Sequence, residues 1–200
     1  MKPLRRYLTA LGISLAAAWA SGNLADSAVL AQQKPAPAAS HHGTAVDERS
    51  PSPLVDIVRQ ATERFKDVSV AEGEGYTLQF GCVTGPEAGA MGMHFVNFDL
   101  VKDGQLDPTR PEIIIYEPLP GGRLRLIGAD YLVLADAWHA KNSMQPQLMG
   151  QLLHLFEAPN RFGLPAFYTL HVWAWKDNPT GTFTNWHRNV SCDAYNGRER

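Results

Sequence analysis

Positive charge is scarce in this chain. Its 200 residues carry 18 Lys and Arg against 20 Asp and Glu, which gives a formal net charge of −2 at pH 7. Nucleic acids and anionic membrane surfaces recruit proteins through basic patches. Because no cluster of basic side chains offsets this balance after residue 31, we expect neither as a partner.

Long apolar runs are also few. The one extended run, from Tyr7 to Ala20, is too short for a comfortable membrane span. It follows the basic side chains Lys2, Arg5 and Arg6 and precedes small residues, which is the organisation of a secretory signal peptide. We expect cleavage after Ala31, with Ala20 as the alternative and an uncleaved anchor as the minor one. The mature protein is then periplasmic or secreted and has no membrane span.

Familiar catalytic motifs are absent from the sequence. It contains no Gly-x-Ser-x-Gly elbow, no His-Glu-x-x-His pair, no phosphate-binding loop and no Gly-x-Gly-x-x-Gly turn. An enzymatic function would therefore depend on an acid-base pair that only geometry can reveal. The candidates are His171 or His94 together with Asp99 or Asp130.

Two cysteines are present, Cys82 and Cys192. In an oxidising compartment a pair of this kind is expected to form a structural disulfide. Closing so long a loop would stabilise the fold by about 4 to 5 kcal/mol in the chain-entropy model.

Composition divides the rest of the chain into three parts. After the signal peptide (1–31), residues 32–52 are rich in Ala, Pro and Ser and predict a disordered tether. Residues 53–195 have the apolar content of a single globular domain, and residues 196–200 form a tail.

Within that domain, apolar periodicity predicts an α+β fold. A helix is expected over 53–66, a second over 146–157 and a short one over 135–140. Alternating or apolar runs separated by turn signals predict about six strands, at 76–82, 91–100, 112–117, 124–134, 167–175 and, more weakly, 183–192. Such strands, mostly without helices between them, indicate a curved antiparallel sheet or partial barrel.

Met91, Met93 and His94 form one candidate metal site. Two thioethers beside an imidazole are the ligands that Cu(I) prefers, so copper is the first metal to consider. On a regular strand, however, both methionines would share one face and His94 would point to the other. The three groups can meet only if Gly89 or Gly92 introduces a bulge.

A second candidate site lies in the segment from residue 167 to 175. Strand alternation places His171, Trp173 and Trp175 on one face. Aromatic rings around one directional polar group suit a ligand-binding pocket, and they equally suit a packed core with a hydrogen-bonded histidine.

Three segments carry a resemblance to other proteins. They read GCVTGP at 81–86, GAMGMHFVN at 89–97 and LHVWAWKDNP at 170–179. Together with the closing VSC at 190–192, they resemble a set of uncharacterised exported bacterial proteins. The resemblance implies a single exported domain and no particular activity.

The leading hypothesis is an exported module that binds a small ligand or a metal ion, with copper as the first metal. The first alternative is an enzyme that uses a histidine and a carboxylate in an α+β cavity. The second is an interaction protein of the cell envelope, for which exposed aromatic surface would be the sign.

Overall fold

The computed structural model describes residues 52–85 and 87–197. The predicted signal peptide, the predicted tether up to residue 51 and the last three residues of the predicted tail lie outside the described residues. Among the described residues, no helix has the length and apolar content needed to cross a membrane.

Six antiparallel strands form one sheet that curls into a half-barrel, which confirms the predicted curved antiparallel sheet of an α+β fold. The strands are β1 (Thr77–Gly85), β2 (Gly89–Val96), β3 (Ile113–Leu119), β4 (Arg123–Leu134), β7 (His154–Phe156) and β8 (Phe167–Val172). Their order across the sheet is β1-β2-β3-β4-β8-β7. A separate two-stranded ribbon consists of β5 (Gln147–Leu148) and β6 (Gln151–Leu152).

Among the described residues, four α-helices accompany the sheet: α1 (Pro53–Thr62), α2 (Val68–Gly73), α3 (Phe98–Asp103) and α4 (Ala135–His139). A 3-10 turn, Glu63–Lys66, extends α1, so the predicted N-terminal helix is confirmed. The side chains of Leu54, Val55 and Val58 are buried in the core, and Pro53 begins the helix where its missing N–H costs nothing.

Helix α1 and its 3-10 extension cover one face of the sheet. The Tyr116 hydroxyl donates to the carbonyl oxygen of Phe65 at 2.7 Å, and the indole of Trp175 donates to Thr62 Oγ1 at 2.9 Å. On the other, concave face, Phe162 and Leu164 of the loop between β7 and β8 line a small cavity together with Ile113 of β3. Strand β3 is therefore buried on both faces, which is why it reads Ile-Ile-Ile rather than alternating.

The predicted helix over 146–157 is wrong. Its apolar residues have helical spacing, but Met149 takes φ 48° in a tight turn between β5 and β6, and β7 follows. The side chain of Leu152 is exposed, so its apolar character reflected no buried helical face. Local spacing favoured a helix, and pairing with β8 favoured a strand.

Several predicted strand ends are also wrong. The strand predicted to reach Leu100 ends at Val96, because the Asn97 side chain accepts from the backbone N–H groups of Asp99 and Leu100 and caps α3. Strand β8 ends at Val172. Residues 183–192 are described throughout and form no strand, apart from an isolated bridge between Ala90 and His187.

The predicted disulfide between Cys82 and Cys192 is confirmed, with a Cα–Cα distance of 5.8 Å. It joins β1, at one edge of the sheet, to the C-terminal segment. Both sulfur-bearing residues are buried.

Replacing both cysteines by serine should lower the free energy of unfolding by about 2 to 5 kcal/mol, because the bridge closes a separation of 110 residues in the unfolded chain. Urea denaturation of the oxidised protein and the double variant measures the difference. Equal midpoints and equal slopes would show that the bridge contributes no stability.

Glu112, which immediately precedes β3, is buried, and the backbone N–H of Leu132 donates to its Oε2 at 3.0 Å. Burial raises its pKa to about 8. The unfolded chain therefore loses this proton at lower pH than the folded protein, and stability falls as the pH rises from about 4.5 to about 8.

Glu112→Gln keeps a carbonyl acceptor for Leu132 and removes the ionisation. The variant should match the wild type near pH 4.5 and exceed it by about 2 to 5 kcal/mol at pH 8 and above. Chemical denaturation between pH 4.5 and 9 tests this, with Glu157→Gln at an exposed position as the control. Parallel stability curves for the wild type and Glu112→Gln would contradict it.

Candidate functional site

Three polar side chains are buried together on the concave face of the sheet. They are His94 of β2, Asp130 of β4 and His171 of β8, with 5, 2 and 2% of their surfaces exposed. One potential ligand atom from each lies within 4.8 Å of those of the other two. The two Nε2 atoms of the histidines are 3.4 Å apart, and His171 Nδ1 is 3.5 Å from Asp130 Oδ1.

Strand register and sheet curl bring the three together. Asp130 pairs directly with His171 and with Ile113, so these side chains share the concave face. His94 comes from β2, three strands away from β8, where a flat sheet would separate the backbones by about 14 Å. The histidines meet because the half-barrel folds β2 towards β8.

Hydrogen bonding determines where His94 carries its proton. Its Nδ1 lies 3.2 Å from the carbonyl oxygen of Gly92, which can only accept, so the neutral ring is protonated at Nδ1. Nε2 then presents a lone pair to His171.

The opposite side of His171 faces the carboxylate of Asp130. Its Nδ1 lies near Asp130, and the side chain of Asn185 stabilises the protonated ring. Within the described part of the chain, however, neither His171 Nδ1 nor Asn185 Oδ1 makes a hydrogen bond of normal geometry. These two buried atoms are therefore left incompletely satisfied.

Burial controls the charge of the cluster. Desolvation, together with the charge of a neighbouring histidine, lowers the pKa of His94 to about 4 and that of His171 to about 3. The neighbour is His171 for His94 and His154 for His171. Desolvation also raises the pKa of Asp130 to about 6, although Thr169 Oγ1 donates to its Oδ1. Both imidazoles are neutral at neutral pH, which is the form that binds metal ions.

A small cavity adjoins the cluster. Its volume, measured as the space open to the centre of a water molecule, is about 20 Å³. This is enough for one water or one ion and too small for an organic ligand. Its polar lining comes from the cluster and Thr169. The apolar lining comes from Phe80, Met91, Ile113, Leu132, Phe156, Phe162, Leu164 and Phe167.

Four phenylalanines close the cavity where the two edges of the sheet approach each other. Phe80 of edge strand β1 contacts Phe162, with ring centroids 5.3 Å apart. Phe156 of the other edge strand, β7, stacks on Phe167 at 5.2 Å, and both rings also contact Phe162. We call Phe80, Phe156, Phe162 and Phe167 the aromatic lid.

Phe80 reaches the lid through an unusual backbone conformation. It has φ 64°, and a register shift between Gln79 and Cys82 marks a bulge in β1. A left-handed conformation at a residue other than glycine costs about 1 to 3 kcal/mol. The bulge also interrupts the regular alternation of side chains along β1.

The structure separates the two methionines of the predicted copper site. Met91 lines the cavity together with His94. Met93 pairs with Tyr116, whose side chain reaches Phe65 in the 3-10 extension of α1, and so Met93 packs in the core on the other face. Gly92 makes this possible: it takes φ 87°, and a Cβ there would lie 2.6 Å from the Tyr116 carbonyl oxygen.

The predicted tryptophan wall is likewise divided. Of its members, His171 lines the cavity, and the Trp173 ring lies beside it with centroids 5.6 Å apart. The Trp173 indole donates to the Thr184 carbonyl at 2.7 Å and packs in the core. Trp175 contacts α1 and lies under Lys66, because β8 ends before it and the alternation stops.

Asp130 is the carboxylate of the cluster, whereas Asp99 is exposed on α3. A signal for Asp130 was present, since it is one charged residue within the apolar run 126–134. Nothing in the sequence indicated Asn185 or the lid, because Asn185 and Phe162 lie in irregular segments and Phe80 lies in a bulge. The grouping of these residues is a product of curl and loop packing.

The chain has no match among protein family models, curated proteins or solved structures. No function can therefore be carried over to it from a matching protein. The buried cluster, its cavity and its lid are the basis on which we infer a function.

Proposed function

We propose that the chain is an exported protein that binds one divalent transition-metal ion through His94, Asp130 and His171. The observation that carries this proposal is the 3.4 Å separation of the two Nε2 atoms in an almost fully buried setting. A tetrahedral ion with metal–nitrogen bonds of about 2.0 to 2.1 Å spaces two ligand nitrogens by about 3.3 to 3.4 Å. The histidines are spaced as such an ion requires.

The proton positions favour the same ligands. His94 Nδ1 donates to Gly92, and His171 Nδ1 faces an oxygen of Asp130. If both rings carry their protons on Nδ1, two Nε2 lone pairs converge, and they repel each other unless a cation or a shared proton lies between them. A metal ion removes this repulsion.

The donor set narrows the choice of metal. Two imidazoles and one carboxylate suit Zn²⁺, Cu²⁺ and Fe²⁺. Copper remains in this group because Cu²⁺ binds such sites most tightly, and because the Met91 thioether also lines the cavity. Because Met93 lies on the other face, the site offers one thioether rather than two. The site therefore favours Cu(I) less strongly than a pair of methionines would.

Three protein ligands leave a position open on the ion. The cavity beside the cluster has room for one water molecule there. An open position of this kind is the feature that separates catalytic from structural zinc sites. We therefore expect the bound ion to exchange its water for a ligand.

A second candidate function is acid-base catalysis without a metal. Asp130 faces His171, and the raised pKa of Asp130, about 6, suits proton transfer near neutral pH. This function requires an activity that survives exhaustive chelation. An activity that depends on the bound metal would instead be lost on chelation.

Export is part of the proposal. The disulfide between Cys82 and Cys192 is compatible with an oxidising compartment, and the sequence begins with the features of a signal peptide. A periplasmic or secreted location would expose the site to copper and zinc. Fractionation of cells that express the full chain tests the location directly.

The first experiment on the metal site is elemental analysis of protein purified after expression of the full chain with zinc or copper supplied. We expect one ion per chain in the wild type. His94→Gln, Asp130→Asn and His171→Gln should each lose at least nine-tenths of it, because each removes one of only three ligands. His139→Gln, at an exposed position, is the matched control.

Folding of each variant is checked by thermal melting in chelator, so that lost metal is not mistaken for lost structure. Wild-type protein without stoichiometric metal under both supplies would overturn the proposal. Full retention in all three variants would place the ion elsewhere.

Met91→Leu and Met93→Leu form a matched pair for copper. If Met91 contributes a thioether to bound copper, Met91→Leu should weaken Cu(I) binding about tenfold and leave Zn²⁺ binding unchanged. Met93→Leu should change neither, since Met93 packs in the core. Competition against a coloured Cu(I) chelator measures both. Equal Cu(I) affinities in the two variants and the wild type would remove Met91 from the ligand set.

A further inference from the structure

An apolar groove runs beside the cavity, between α3, the bulge of β1 and residues 164–165. Its volume is about 210 Å³. Of the ten described side chains that line it, Lys102 alone is polar, and that side chain extends into solvent next to Asp99. The apolar members are Phe80, Val96, Phe98, Val101, Ile113, Leu132, Leu134, Leu164 and Pro165.

The groove and the cavity share one wall. Phe80, Ile113, Leu132 and Leu164 line both. Ile113 and Leu132 are buried in the sheet and form a common floor, whereas Phe80 and Leu164 are half-buried and stand between the two spaces. Rotation of those two side chains would join them into one channel that ends at His94 and His171.

We propose that this channel holds an elongated apolar molecule whose one polar head, an oxygen or nitrogen donor, takes the open position on the metal ion. This inference rests on the proposed metal site and names the class of ligand for it. An apolar chain matches the groove, because any polar group placed there would lose its hydration without gaining a partner. A polar head matches the cavity, where the cluster and Thr169 provide polar partners.

The size of the groove limits the ligand. An apolar cavity of about 150 Å³ holds a benzene molecule, so 210 Å³ suits a chain of about eight to ten non-hydrogen atoms. Phe80 is placed to admit it. Its φ of 64° holds the ring over the passage in a strained conformation, and entry of a chain would displace that ring towards the groove wall.

The test titrates straight-chain carboxylates, from acetate to decanoate, into zinc-loaded protein purified after expression of the full chain. Isothermal titration calorimetry should show affinity rising about fourfold per added methylene, because each one leaves water for the apolar groove. The rise should stop at about eight carbons, where the groove is full. Affinity that does not change from acetate to octanoate would overturn the proposal.

Leu134→Trp supplies a variant that fills the groove without touching the cavity. It should abolish the dependence on chain length and retain one zinc ion per chain. Leu155→Trp, at an exposed position of β7, is the matched control and should bind octanoate as the wild type does. Equal octanoate binding by the two variants would locate the chain outside the groove.

Metal-free protein separates this inference from the metal proposal. Octan-1-ol should still bind it, weakly, and Leu134→Trp should prevent that binding. Zinc retention without any chain-length dependence would support the metal site and contradict ligand binding in the groove. If the protein retains no metal but binds octan-1-ol, and Leu134→Trp prevents that binding, the groove would be supported and the metal site contradicted.

Discussion

The curl of the six-stranded sheet is the constraint on which the rest of the molecule depends. It brings a histidine of β2 within 3.4 Å of one on β8 across two intervening strands. Gly128 of β4 permits it, since a Cβ there would lie 2.5 Å from the Val172 carbonyl oxygen. A flatter sheet would leave two separate core histidines and no cluster.

Curling a sheet brings its edges together, and this protein covers the opening with side chains rather than with a further strand. The aromatic lid joins β1 to β7 through Phe162, and Arg161 donates to the Thr84 carbonyl at 2.9 Å. The disulfide holds β1 from the other side. The strain at Phe80 is sustained because these contacts restrain the strand in which it lies.

Burial gives the cluster its chemistry. With almost no water around them, two imidazoles remain neutral and a carboxyl becomes reluctant to ionise. Polar groups in such a setting are costly unless they are satisfied, and two of the buried atoms here are not. In the proposed function, a metal ion between the histidines would coordinate these buried polar groups, and an apolar ligand would close the cavity over it.

The sequence by itself determined the α+β class, the N-terminal helix and the five longest strands, because periodicity and turn residues are local properties. It also determined the disulfide, because an exported domain with two cysteines offers one pairing. It also singled out His94 and His171, since polar residues in apolar strands stand out. Only the tertiary structure decided that they meet, that Asp130 joins them and that Met93 and Trp175 do not. Those outcomes depend on one left-handed glycine at 92, the early end of β8 and the curl, each of which is set by long-range packing that no local pattern records.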